Sequence, residues 1–86
     1  MSDISNFKTQ RRSHASTGTD PILLTLGDKI RAARVDAGMT QQELALVTGM
    51  GRERIIQIEN GKTGVSIGAV CSILKALGLK LTVTDI

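Results

Sequence analysis

The chain has 86 residues, of which 11 are Lys or Arg and 8 are Asp or Glu, giving a formal charge of +3. Its single cysteine, Cys71, excludes an intrachain disulfide, and its single histidine, His14, excludes a Cys/His metal cluster. A core this small is only marginally stabilising, so a second subunit is the remaining support.

The longest apolar run, Ile22 to Leu26, falls far short of the roughly 20 residues that span a bilayer, and the N-terminus lacks the apolar centre of a signal peptide. A lone cysteine among apolar neighbours suits a core position in a reducing compartment, so the expected location is cytoplasmic. The net charge points only weakly to nucleic acid. Between Thr40 and Lys62 the positives Arg52, Arg54 and Lys62 are matched by Glu43, Glu53 and Glu59.

Residues 1–20 are rich in Ser, Thr, Asp and Asn and read as a flexible polar arm. Lys8, Arg11 and Arg12 in such an arm can reach DNA phosphates; the blander reading is a solvated tail. A first helix is expected from Leu26 to Ala37, with Thr25 and Asp28 forming a capping box and Leu26, Ile30 and Ala33 on one stripe. Whether Ile22 to Thr25 is extended or adds a turn is left open. Thr40 caps a second helix with Glu43 in the reciprocal position, and Gly49 ends it. A third helix is expected from Gly51 to Glu59. Ser66 caps a fourth that runs to Leu77, with Ile67, Val70, Cys71, Ile73 and Leu74 facing inward.

From Leu79 the pattern changes to a period of two. Leu79, Leu81 and Val83 alternate with Lys80, Thr82 and Thr84, which is the signature of a half-buried strand. A lone strand leaves its backbone groups unpaired, so the simplest partner is the same strand of a second copy about a two-fold axis. Pairing with residues 22–25 of the same chain is the alternative.

Thr40 to Gly61 therefore reads as helix, tight turn, helix, the spacing of a DNA-binding helix-turn-helix. Ala45 is small where the helices approach, and Gly49 can take the positive φ of the turn. With Arg52 at 0° and about 100° per residue, Ile55 and Ile58 fall near 300° and 240° and mark the buried side, with Leu44 and Val47 across from them. Arg52, Ile56, Glu53 and Gln57 fall outward. Arg52 can donate twice to guanine and Gln57 can pair with adenine, while Arg54 on the flank suits a phosphate. Glu53 either accepts from a cytosine amino group or orients Arg52 or Arg54. For Ile56 three roles are open: a thymine methyl, a protein partner, or an ordinary exposed apolar residue.

The elements G-x-T-Q-x-E-L-A, the turn glycine, I-x-x-I-E-N-G-K and L-x-A-L-G-L stand in order between Leu26 and Leu79. They resemble the lambda-repressor-like (Cro-type, also called XRE) helix-turn-helix family. The resemblance implies a mainly α fold of four to five helices (residues 21–78), here followed by a dimerising strand over 79–86. It also implies phosphate contacts at Gln41, Asn60 and Lys62, and places Gly51, Arg52, Glu53, Ile56 and Gln57 at or beside base-reading positions. Gly51 departs from the polar residue usual there and would offer backbone approach alone.

A family core followed directly by L-x-L-x-V-x-D is similar to HipB-type antitoxins. That narrower resemblance implies a homodimeric repressor of its own operon, bound to a palindromic operator and to a HipA-type kinase toxin. A stand-alone phage-type repressor and a protein-interaction module without DNA reading are the alternatives. An enzyme is not expected, nor a cofactor. The folded part has no histidine and no Ser/His/Asp set, and Ile56 stands where a P-loop ending in Gly61-Lys62-Thr63 would need its first glycine.

Overall fold

The computed structural model describes residues 18–85. The expected arm residues Lys8, Arg11 and Arg12, together with His14 and Ile86, lie outside that range. Among the described residues four helices follow one another: α1 (Pro21–Asp36), α2 (Gln41–Thr48), α3 (Arg52–Glu59) and α4 (Ile67–Ala76). α3 packs against both α1 and α2, and α2 also packs on α4.

α1 begins five residues before the expected start. The Asp20 carboxylate accepts from the backbone N–H of Ile22 at 2.8 Å, and Pro21 occupies the first helical position, where its missing N–H costs nothing. Thr25 is thus inside the helix, its hydroxyl donating to the Pro21 carbonyl. Asp28 pairs with Arg31 and has no capping role. Because residues 22–25 are helical, they are not available to pair with the C-terminal segment.

The other starts fall at the expected caps. Thr40 and Glu43 exchange bonds of 3.0 and 2.9 Å, and the Ser66 hydroxyl accepts from Ala69 N–H at 3.0 Å. Gly49 has φ 71°, the left-handed conformation that lets the chain reverse between α2 and α3.

The core is Ile30, Leu44, Ala45, Ile55, Ile58, Ala69, Val70, Ile73 and Leu74, edged by Leu26, Met39, Met50, Val65 and Leu77. Two expectations of inward facing are corrected. Val47 is 64% exposed, because the buried stripe of α2 runs through Leu44, Ala45 and Thr48 and Val47 lies roughly 100° off it. Ile67 is 66% exposed, since α4 buries Ala69, Val70, Ile73 and Leu74, and Cys71 is half-buried beside that stripe.

Residues 79–85 form no strand in the single chain. A strand exists only where a second backbone meets its donors and acceptors, and residues 22–25, the expected intrachain alternative, are part of α1. Among the described residues the single β-type pairing is elsewhere, an antiparallel bridge between Thr19 and Lys62. It is flanked by Asp20 N–H to Gly61 O at 3.3 Å and Thr63 N–H to Gly18 O at 2.9 Å. The chain entering α1 is thereby stapled to the loop leaving α3.

Candidate nucleic-acid interface

α3 is held from below and presented outward. Ile55 and Ile58 are buried, while Arg52, Glu53, Arg54 and Gln57 are exposed. Ile56 is half-buried, so it sits at the edge of this face and does not project from its centre. Gly51 caps α3 through its backbone alone, and a Cβ added there would meet no atom within 4 Å, which leaves the start of the helix open to a close approach. Glu53 forms no ion pair with Arg52 or Arg54 among the described residues. All three side chains are therefore uncommitted.

An open groove of about 500 Å³ joins this face to the start of α2, lined by Arg34, Met39, Thr40, Gln41, Gln42 and Arg52. Gln41 and Arg52, separate in sequence, thus share one surface. Asn60 is exposed just past α3, and Lys62, half-buried, follows in the stapled loop. Of the expected phosphate-side residues, Gln41 thus shares a groove with Arg52, Arg54 lies on α3 itself, and Asn60 and Lys62 follow directly after its end.

The sequence reasoning missed what orders this surface. Glu59, the last residue of α3, is 1% exposed and is the hub of a polar network. Arg34 from α1 donates through Nε to Oε2 at 2.7 Å and through Nη2 to Oε1 at 3.2 Å. Gln41 from α2 donates through Nε2 to Oε1 at 3.1 Å, and Arg31 Nε lies 3.5 Å from the same oxygen. Burial pushes the Glu59 carboxyl up, but the bonds from Arg34 and Gln41 and the charges of Arg34 and Arg31 outweigh it, leaving the group below its ordinary range. One carboxylate therefore ties three helices together. It also alters the charge balance, since Glu59 is withdrawn from the surface. Over Thr40 to Lys62 that leaves Arg52, Arg54 and Lys62 against Glu43 and Glu53. The sequence carried only half of the signal: I-R-x-x-R sets two arginines on one face of α1, but nothing near Glu59 marks it as their partner.

Among the described residues no group of His, Cys, Asp and Glu is placed to hold a metal ion, and no helix is long and apolar enough to cross a membrane. The arrangement offers hydrogen-bond donors and positive charge on a convex helix, which suits a groove and a polyanion.

Comparison with known proteins agrees with this geometry. The helix-turn-helix family HTH_3 matches residues 30–83. An uncharacterised HTH-type transcriptional regulator, y4mF of Sinorhizobium fredii (strain NBRC 101917 / NGR234), is 34% identical over 58 residues, 67% of this chain and 76% of the relative. A chain of the HipA–HipB–O2–O3 complex is 28% identical with a TM-score of 0.67, covering 73% of this chain and 89% of its own. The restriction-modification controller protein C.AhdI from Aeromonas hydrophila is 26% identical with a TM-score of 0.64, covering 71% and 92%. A match across well over half of the chain, on a fold with the same helix–turn–helix, places this protein in the HTH_3 family of lambda-repressor-like (XRE) regulators.

Proposed function

We infer that the protein is a sequence-specific DNA-binding transcriptional repressor that acts as a cytoplasmic homodimer on a palindromic operator. The observation that carries this reading is the exposed face of α3, with the side chains of Arg52, Glu53, Arg54 and Gln57 uncommitted among the described residues and Gly51 open, set beside the α2 N-terminus that bears Gln41. Arg52 and Gln57 read bases, while Gly51, Glu53 and Ile56 shape the close approach. Gln41, Arg54, Asn60 and Lys62 hold the phosphates.

Dimerisation is assigned to the C-terminal segment. Leu79 and Leu81 line a groove of about 280 Å³ with Leu26, Ile30 and Leu74, and Val83 beyond it is 94% exposed. An antiparallel copy of the segment would satisfy its backbone and cover these side chains. The two α3 helices would then enter successive major grooves about 34 Å apart.

The finer reading is an antitoxin of a HipBA-like operon that binds a kinase toxin and represses its own promoter. Its support is the likeness to a chain of the HipA–HipB–O2–O3 complex and the alternating tail. A regulator without a toxin partner is the second reading, and the comparable likeness to a restriction-modification controller favours it. A gel-shift titration of the protein on its own upstream DNA against a scrambled fragment, at two salt concentrations, tests the common part. Preference for the upstream fragment with affinity falling as salt rises is expected; equal binding to both fragments rejects sequence-specific repression. Co-purification with the product of a neighbouring kinase-like gene, or its failure, then separates the two readings.

A further inference from the structure

We propose that Arg31 is a positioning residue that acts on DNA through Asn60, by fixing which face of the Asn60 amide points away from the protein. This rests on the DNA-binding reading above and on Asn60 as a phosphate contact. An exposed asparagine at the end of a helix has two nearly isosteric ends, and only Nδ2 can donate to a phosphate oxygen. Arg31 Nη2 lies 3.3 Å from Asn60 Oδ1. A guanidinium has donors and no acceptor, so the amide end that faces it must be the oxygen. Nδ2, with both of its hydrogens, is then turned outward.

The rest of Arg31 is committed within the protein. The same Nη2 donates to the Glu59 carbonyl at 3.1 Å, one of the orphan acceptors at the end of α3. Nη1 donates to Asp28 at 3.3 Å, and Nε faces the Glu59 carboxylate at 3.5 Å. The guanidinium thus links α1, the end of α3 and Asn60, with both Nη2 hydrogens spent. Lysine has the charge but not the fork, so it cannot bridge the Glu59 carbonyl and Asn60 while facing Asp28.

The test is a double-mutant cycle on DNA affinity, read by fluorescence anisotropy of the full-length protein on its upstream DNA over a series of salt concentrations. The variants are Arg31→Met, Arg31→Lys, Asn60→Ala and the Arg31→Met/Asn60→Ala pair. Arg31→Met and Arg31→Lys are each expected to weaken binding about three- to tenfold, the range of one hydrogen bond, alike on specific and scrambled DNA. The double variant should bind no more weakly than Asn60→Ala alone, and the slope of log K against log salt should stay at the wild-type value in all of them. A slope reduced by about 0.9 with multiplicative losses would mean that Arg31 touches a phosphate itself, which overturns the proposal. Unchanged affinity in both Arg31 variants overturns it as well. Arg31→Lys retains the charge beside Glu59, so it remains informative if Arg31→Met does not fold. A wild-type protein that binds no DNA is a separate outcome, which removes the repressor reading and this proposal together.

Discussion

Arg34 and Glu59 are 25 residues apart in sequence, yet they meet through two hydrogen bonds, Nε to Oε2 at 2.7 Å and Nη2 to Oε1 at 3.2 Å. The carboxylate is completely enclosed, and the arginine side chain is nearly so. Arg34 also spends Nη1 on the Met39 carbonyl at 2.8 Å, which fixes the turn leading into α2. Removing one partner of such a pair strands the other charge in the interior. Arg34→Met is therefore expected to destabilise the fold by about 3–5 kcal/mol, measured by urea denaturation. A loss below about 1 kcal/mol would put the pair in the class of surface ion pairs and refute its structural role.

The same carboxylate gives the fold an acid limit. Glu59 sits below its ordinary range in the folded protein, so the unfolded chain takes up its proton first. A depressed folded value contributes stability that is fully present above the unfolded value and is lost as pH falls through the folded one. Melting temperature should accordingly be level in Glu59 at neutral pH and fall on acidification below the usual glutamate value of 4.5. Glu43 is lowered by its bonds to the Thr40 backbone and hydroxyl and contributes in the same window, though from an exposed site. Glu59→Gln should flatten the acid slope more than Glu43→Gln. The reverse order would show that the capping box, and not the network, sets acid stability.

Gly27 marks where α1 crosses the end of α3. A Cβ added there would lie 2.5 Å from the Glu59 carbonyl oxygen and 2.7 Å from that of Ile58, both backbone atoms that cannot step aside. Gly27→Ala should cost about 1–3 kcal/mol from overpacking, against the gain of up to about 1 kcal/mol that alanine normally brings to a helix. Gly68 in α4 is the control: its nearest neighbour would be the Ser66 hydroxyl at 3.9 Å, so Gly68→Ala should be neutral or stabilising. Thermal melts that move in the same direction for both substitutions would contradict the close approach.

The start of α1 shows what local reading reached and where it stopped. Thr40, Gly49 and Ser66 were legible because each cap or turn is decided by residues within three or four positions. Asp20-Pro21 is an equally local signal, and the Thr25–Asp28 box competed with it in sequence. Asp20 prevails because its carboxylate caps the helix while its backbone N–H joins the staple to Gly61, a contact 41 positions away that no local pattern displays. Asp20→Ala should then cost about 0.5–2 kcal/mol, with Thr25→Ala near neutral. The reverse ranking in chemical denaturation would restore Thr25 as the cap. On the candidate interface the outward set of α3 was readable from helical spacing, because Ile55 and Ile58 fixed the buried side. The Glu59 network was not, since a glutamate between two apolar stripes gives no sign of whether an arginine will reach it. The C-terminal alternation remained a pattern without a pairing partner, because a strand is a property of two backbones.

The division of labour across the proposed interface is the remaining prediction. Arg52 stands at the first turn of α3 with no ion pair among the described residues, and its planar fork matches the two acceptors on the major-groove edge of guanine. Lys62 lies in the loop after α3, held through its own backbone by the bridge to Thr19, and offers a point charge without base-edge geometry. Arg52→Ala should relax preference at one position of each half-site by about 1–3 kcal/mol, seen as a levelling of affinities across a set of single-base operator variants. Lys62→Ala should weaken every variant by a similar factor and reduce the salt slope by about 0.9. If the two substitutions level the operator series to the same degree, base reading and backbone holding are not separated between these residues. The stapled loop would then belong inside the groove, together with α3.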